Sequence, residues 1–272
     1  MNDHLIVTLD NSIGTILLNR PEKLNAMTGE MYRGIAKAVQ ELDDDPVCRV
    51  IVLRGAGRAF SSGGDLSSQA DGWSSDPAEV LRSRVVMANS SRWAVWDSST
   101  PVVAVVQGYC LGGGFELALP ADFTLAHEDA RFGEPDALFG AGPAFLLLPW
   151  VAGHKIAKEH LMLGQQFSAQ RAYECGIVTR VYAGNEFEVG VDAFIADILK
   201  LSPHALAAMK AGINRSYEIA GMRTAIDTWV ERAVMLPGVP DEQSALFMEG
   251  VRRGKVADAI RQRNSYHESD KA

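Results

Sequence analysis

Six consecutive residues, Leu111-Gly112-Gly113-Gly114-Phe115-Glu116, combine two properties that chemistry at a carbonyl requires. Three glycines in a row let the backbone approach a ligand more closely than any side chain would permit. The run follows a strand-like stretch, Val102 to Val106, and opens into helix-like sequence from Glu116 to Leu119. The first N–H groups of a helix lack intrahelical partners and carry partial positive charge, so they suit an oxygen that becomes negative. Glu116, two residues past the last glycine, sets an acid/base group beside that site.

Two further features belong to the same chemistry. The segment from Ala59 to Leu66, with its Gly63-Gly64 pair, follows the apolar run Val50 to Leu53 and is read as a loop. Two such loops can each present one N–H to a single oxygen. Asp136, in Phe132-Gly133-Glu134-Pro135-Asp136, follows Glu116 by twenty residues. Two acids at the ends of separate elements can face each other across one substrate, one giving a proton while the other takes or directs one. Taken singly, each feature also has an ordinary explanation, since glycine pairs make tight turns and most acids face solvent.

The elements that would position these residues alternate β and α up to about residue 183. Leu5 to Leu9 and Gly14 to Leu18 flank Asp10-Asn11-Ser12 and read as a hairpin. Met31, Ile35, Ala38, Val39 and Leu42 recur at helical spacing, with Thr28 as N-cap. Val50 to Leu53 is an unbroken apolar run, as in a strand covered on both faces. Pro77 to Trp96 reads as a helix with Val80, Leu81, Val85, Ala88 and Trp96 on its apolar side. Strands follow at 123–126, 130–132 and 178–182, and helices at 156–163 and 169–175, the latter capped by Ser168. Helical pattern continues at about 186–200, 203–219, 221–235 and 241–262.

Composition narrows the function classes. The chain has 272 residues, a formal net charge of -8, 47% hydrophobic and 22% charged residues. Such a balance fits a globular protein and argues against nonspecific binding to nucleic acid or to anionic membranes. Cys48, Cys110 and Cys175 are odd in number and widely spaced, which favours a reducing compartment; a cytoplasmic location is expected. No apolar run is long enough to span a membrane, and no secretory leader is evident. His127, His154 and His160 are not at metal-ligand spacing, so no metal is expected. The glycine run lacks the G-x-G-x-x-G dinucleotide pattern, and Ser61 and Ser62 lack a nucleophile-elbow context. Trp73 is a candidate lid residue, whereas Trp96 reads as core or interface. Arg252, Arg253, Lys255, Arg261 and Arg263 give the last helical stretch a basic face, read as solvated.

Four segments in this order, Asn19-Arg20-Pro21 with Asn25-Ala26-Met27, then Ala59 to Leu66, Gly108 to Glu116 and Phe132 to Asp136, resemble the crotonase family of enoyl-CoA hydratases and isomerases over nearly the whole chain. The resemblance implies an α/β fold, a crotonase-like spiral of ββα repeats over residues 1–195 with the active site, and a helical region over 196–272 that trimerises, with hexamers by stacking. It implies an acyl-CoA thioester as substrate, coenzyme A entering as part of that thioester, and no separate cofactor. Lys23, Leu24, Ala26 and the segment Ser62, Gly63, Gly64, Asp65 and Leu66 would hold the CoA. The N–H groups of Gly64 and Gly113 would form the oxyanion hole. Glu116 would be the first catalytic acid and Asp136 the second, where hydratases have Glu. The Gly-Gly pair that follows in the family is replaced here by Phe139 to Pro149, with Phe145 and three leucines. The expected reaction is addition of water to a 2-enoyl-CoA. Double-bond isomerisation and a non-catalytic acyl-CoA-binding role are the alternatives.

Overall fold

The computed structural model describes residues 3–66 and 78–239, together with a few positions between 242 and 253. The proposed lid residue Trp73 and most of the 241–262 stretch lie outside the described residues.

Strands β1 (Leu5–Asp10) and β2 (Ile13–Leu18) form the expected antiparallel hairpin, Asp10 opposite Ile13. Asn11 and Ser12 both take positive φ, 49° and 69°, as a two-residue turn matched to strand twist demands. Helix α1 (Gly29–Asp44) starts at Thr28, whose side chain accepts from the Met31 N–H at 3.3 Å. There follow β3 (Val50–Gly55), β4 (Ala59–Ser61) and α2 (Ala78–Asp97), then β5 (Val102–Val106), β6 (Tyr109–Leu111) and α3 (Gly113–Ala118). The third turn comprises β7 (Phe123–His127), β8 (Arg131–Gly133) and α4 (Leu148–Leu163). Next come β9 (Phe167–Ser168), α5 (Ala169–Glu174), β10 (Arg180–Tyr182), α6 (Phe187–Leu199), α7 (Pro203–Ile219) and α8 (Met222–Ala233).

Each ββα turn sends its first strand to one sheet and its second to another. The large sheet has the order β1-β2-β3-β5-β7-β10, parallel from β2 onward; the small one has β4-β6-β8-β9. The chain therefore bends sharply between sheets. At Gly108, between β5 and β6, φ is +55° and an added Cβ would sit 2.0 Å from the Arg58 carbonyl oxygen, so only glycine fits that corner. The small-sheet strands are three residues or fewer and show no usable alternation. Ala59–Ser61, inside the segment read as a loop, is one of them.

The apolar β3 run is covered on both faces, as expected. Ile51 and Leu53 pack toward α1 and α2, while Val50 and Val52 pack with Val103, Val105 and Leu125 against Phe187, Val191, Ile195 and Ile198 of α6. Helix α4 begins eight residues earlier than its periodicity predicts, because Gly153 (φ 79°, ψ 165°) breaks it and splits the pattern. Helix α7 is fastened to the core by the buried Lys210, which donates to Asp122 at 2.8 Å and to Ser98 at 3.0 Å. Among the described residues no helix is long and apolar enough to cross a membrane.

Candidate active site

The segment from Arg20 to Met27 and the β4 loop are stitched into one ridge. Leu24 and Asn25 take left-handed φ values of 50° and 55°. Asn25 is fully buried; its side-chain oxygen accepts from the Arg20 N–H at 2.8 Å, and its amide donates to the carbonyls of Ala56 and Ala59 at 2.9 and 2.8 Å. Arg20 reaches across to the Ala26 carbonyl at 2.6 Å and the Asp65 carboxylate at 3.0 Å. Backbone bonds run from Ser62 N–H to Leu24, from Met27 N–H to Gly63 and from Asp65 N–H to Met27. The fold thus brings Lys23, Leu24 and Ala26 together with the segment Ser62 to Leu66.

Pairing of Met27 with Gly64 consumes the neighbouring backbone groups and leaves the Gly64 N–H without a backbone acceptor among the described residues. Gly113 opens α3, so its N–H has no intrahelical partner either. A Cβ on Gly113 would lie 3.5 Å from Gly64 N, 3.2 Å from Arg92 Nη2 and 2.4 Å from the Tyr32 hydroxyl, so the two loops meet with no room for a side chain. Helix α3 spans six residues, so what it offers here is a positioned N–H rather than a long macrodipole.

Gly64, Gly113, Glu116 and Asp136 all line one cavity of about 510 Å³, with Tyr32, Arg92, Val85 and Ala88 among its other walls. Glu116 is 3% exposed and both its oxygens are engaged: Oε2 accepts from Arg92 Nη2 at 2.5 Å and Oε1 from the Phe145 N–H at 2.7 Å. Arg92 is 1% exposed, also donates to Asn89 at 3.2 Å, and sits over the Tyr32 ring at 5.1 Å. Burial is the largest influence and opposes its charge, but Glu116, Tyr32 and Glu134 together overcome it and raise the guanidinium pKa. Tyr32, buried under Arg92, is pushed up to about 12, chiefly by desolvation.

Asp136 stands in the 3₁₀ turn Pro135–Phe139 after β8, half-buried at the cavity wall. Among the described residues, no guanidinium or N–H contacts it as they do Glu116. Its pKa is pushed up to about 7, first by desolvation and then by the charge of Glu116; a hydrogen bond with Glu134 and the Arg92 charge act the other way. Glu134 is 1% exposed, and burial raises its pKa well above the carboxylate range, with Asp136 and Glu116 adding to the effect.

Sequence reasoning missed Arg92, the Phe145 N–H, Tyr32 and Glu134. A signal for Arg92 exists. It lies four residues after Ala88 and four before Trp96, so a cation occupies the apolar face of α2, which requires a buried partner. The Phe145 N–H carries no signal, because a backbone donor has no residue type. It is aimed by straps on its segment: Asn89 donates to the Ala144 carbonyl at 2.8 Å, Trp229 to the Pro143 carbonyl at 2.6 Å, and the Phe145 ring packs edge-on to Trp93 at 4.7 Å. The segment around Phe145 therefore builds one side of the Glu116 cradle through its backbone.

Known proteins of one family resemble this chain. Residues 8–233 match the family model described as enoyl-CoA hydratase/isomerase. The probable enoyl-CoA hydratase echA8 of Mycobacterium tuberculosis is 31% identical over 221 residues, covering 79% of this chain and 82% of that protein. The carnitinyl-CoA dehydratase of Salmonella typhi is 34% identical over 214 residues, covering 77% and 80%. A crystal structure of an enoyl-CoA hydratase/isomerase from Xanthobacter autotrophicus Py2 is 34% identical and covers 98% of this chain and 99% of its own, with a TM-score of 0.92.

Proposed function

The chain belongs to the enoyl-CoA hydratase/isomerase family and has the crotonase fold, and from that premise we propose that it hydrates a 2-enoyl-CoA to a 3-hydroxyacyl-CoA. The observation that carries this reading is the contrast between two acids in one cavity. Glu116 holds a guanidinium and an N–H, while Asp136 holds neither among the described residues and has its pKa pushed up to about 7 by desolvation and by the charge of Glu116. Pairs of acids in such different environments divide the acid and base roles.

The ridge of Lys23, Leu24, Ala26 and Ser62 to Leu66 binds the CoA portion. The N–H groups of Gly64 and Gly113 donate to the thioester oxygen. Glu116, whose oxygens retain free lone pairs beyond those used by Arg92 and Phe145, orients a water. The water oxygen bonds to the β-carbon, and the π electrons move toward the thioester oxygen as an enolate. Asp136 delivers its proton to the α-carbon, and the proton lost by the water returns to Asp136 by way of Glu116. Each oxyanion donor is worth on the order of 3–4 kcal/mol in the transition state.

Isomerisation is the second reading, favoured by one observation: with both Glu116 oxygens engaged, Asp136 is the acid better placed to shuttle a single proton. Incubation with crotonyl-CoA and with a 3-enoyl-CoA separates the two. Loss of the conjugated thioester absorbance from crotonyl-CoA supports hydration, with Glu116→Gln about 100-fold slower or worse. Gain of that absorbance from the 3-enoyl substrate alone refutes it in favour of isomerisation.

Self-association to a trimer or hexamer belongs to the same reading. Met209, Ile213 and Tyr217 form a stripe on α7 at four-residue spacing and are 56%, 60% and 36% exposed. Such a stripe is accounted for by burial against another copy. A mass near that of a single 29.5 kDa chain in solution would refute it.

A further inference from the structure

The hydratase reading uses Glu116 and Asp136 and leaves Glu134 unassigned, although Glu134 is the most deeply buried of the three acids at 1% exposure. As a carboxylate, Glu134 has no hydrogen-bond partner for either oxygen among the described residues. It approaches Asp136, two residues on across Pro135. Both carboxyls converge on one point: a Cβ on Gly112 would lie 3.7 Å from Glu134 Oε1 and 4.0 Å from Asp136 Oδ1. Two carboxyls form a hydrogen bond only when one of them carries a proton. A charged carboxylate so buried and without a donor is costly, whereas a neutral acid needs only one acceptor for its O–H.

The groups around Glu134 set which acid keeps that proton. Among the described residues, Asp136 and Glu116 oppose a charge on it, and Arg92 favours one. Cys110 of β6, itself held neutral by burial, also lies within its field. Tyr32 faces Glu116 and Asp136 from α1. Arg92 is committed to Glu116, so the balance at Glu134 stays with the neutral form. Among the described residues, no group of acids, histidines or cysteines is placed to hold a metal ion.

We propose that Glu134 is a positioning residue: it remains a neutral carboxylic acid and donates its O–H to Asp136, stabilising the carboxylate left on Asp136 after its proton has gone to substrate. The proton of Glu134 is not transferred. The inference rests on the hydratase reading for the role of Asp136, but not for the pairing of the two carboxyls.

The test compares Glu134→Leu and Glu134→Gln with wild type, by infrared difference titration of the substrate-free protein and by the pH profile of kcat/KM. Asp136→Asn identifies the Asp136 band. Glu134→Leu removes the donor and should move the Asp136 midpoint upward by roughly 1–2 pH units, the size of a hydrogen bond to a charged group. Glu134→Gln retains an N–H donor and should leave the midpoint near wild type. A protonated-carboxyl band that persists in wild type above the Asp136 midpoint should vanish in Glu134→Gln; this arm holds even where the leucine variant does not fold. A downward move in Glu134→Leu, or absence of that persistent band from wild type, overturns the proposal. The infrared arm reads the pair whether or not any enoyl-CoA is turned over, so a failed hydratase reading leaves it decidable.

Discussion

Replacing Asp136 by asparagine should change the pH dependence of stability, with a sign opposite to that of ordinary surface carboxylates. The native pKa of Asp136 is about 7 against an ordinary value of 3.8. Between those values the folded protein holds a proton that the unfolded chain releases, so the native state binds more protons and stability falls as pH rises. The contribution is fully present below about pH 4 and lost by the time pH has passed about 7. A difference of about three pH units corresponds to roughly 4 kcal/mol in all, of which about 2–3 kcal/mol is lost between pH 5 and pH 8. Asparagine at this position does not titrate, so the stability of Asp136→Asn relative to wild type should improve by about 2–3 kcal/mol over the same interval. Urea unfolding of both proteins at the two pH values, with equal m-values as a control, measures this directly. The hydration rate should fall in parallel above about pH 7 as the proton donor ionises. A stability difference that is the same at pH 5 and pH 8 would show that Asp136 titrates near its unfolded value, and the assignment of donor and base would collapse with it.

Two further outcomes follow from the same cavity. Arg92→Met leaves Glu116, 3% exposed, without its counter-charge, and should destabilise the protein by about 3–5 kcal/mol; adding Glu116→Gln should recover part of the loss, and strict additivity in the double-mutant cycle would argue against the pair. Gly113→Ala drives a methyl to 2.4 Å from the Tyr32 hydroxyl and should lower the hydration rate by about 100-fold or more through the displaced N–H, whereas Tyr32→Phe in the same chain removes the closest contact and should restore part of the rate; an unimpaired Gly113→Ala enzyme would remove that N–H from the site.

Much of the layout was legible in the chain. The double-sided cover of β3 follows from an unbroken apolar run, the β1–β2 hairpin from its turn residues, and the start of α1 from Thr28. The short strands β4, β6 and β9 were not, because two or three residues carry no period; they exist only because neighbouring turns of the spiral supply their partners. The early start of α4 was hidden by Gly153, which shifts the apolar phase within one helix.

The sequence by itself, through motifs that resemble one family, singled out two glycine loops and two acids, Gly64, Gly113, Glu116 and Asp136, as candidates for one site, and the fold sets all four around one cavity. Tertiary structure alone decided how the acids differ. Arg92 arrives from α2 and the Phe145 N–H from a strap held by Asn89 and Trp229, and both go to Glu116; Asp136 is left beside the buried carboxyl of Glu134. The physical reason is that a carboxyl group's proton affinity depends on desolvation and on the charges within a few ångströms, and those distances are set by elements far apart in the sequence.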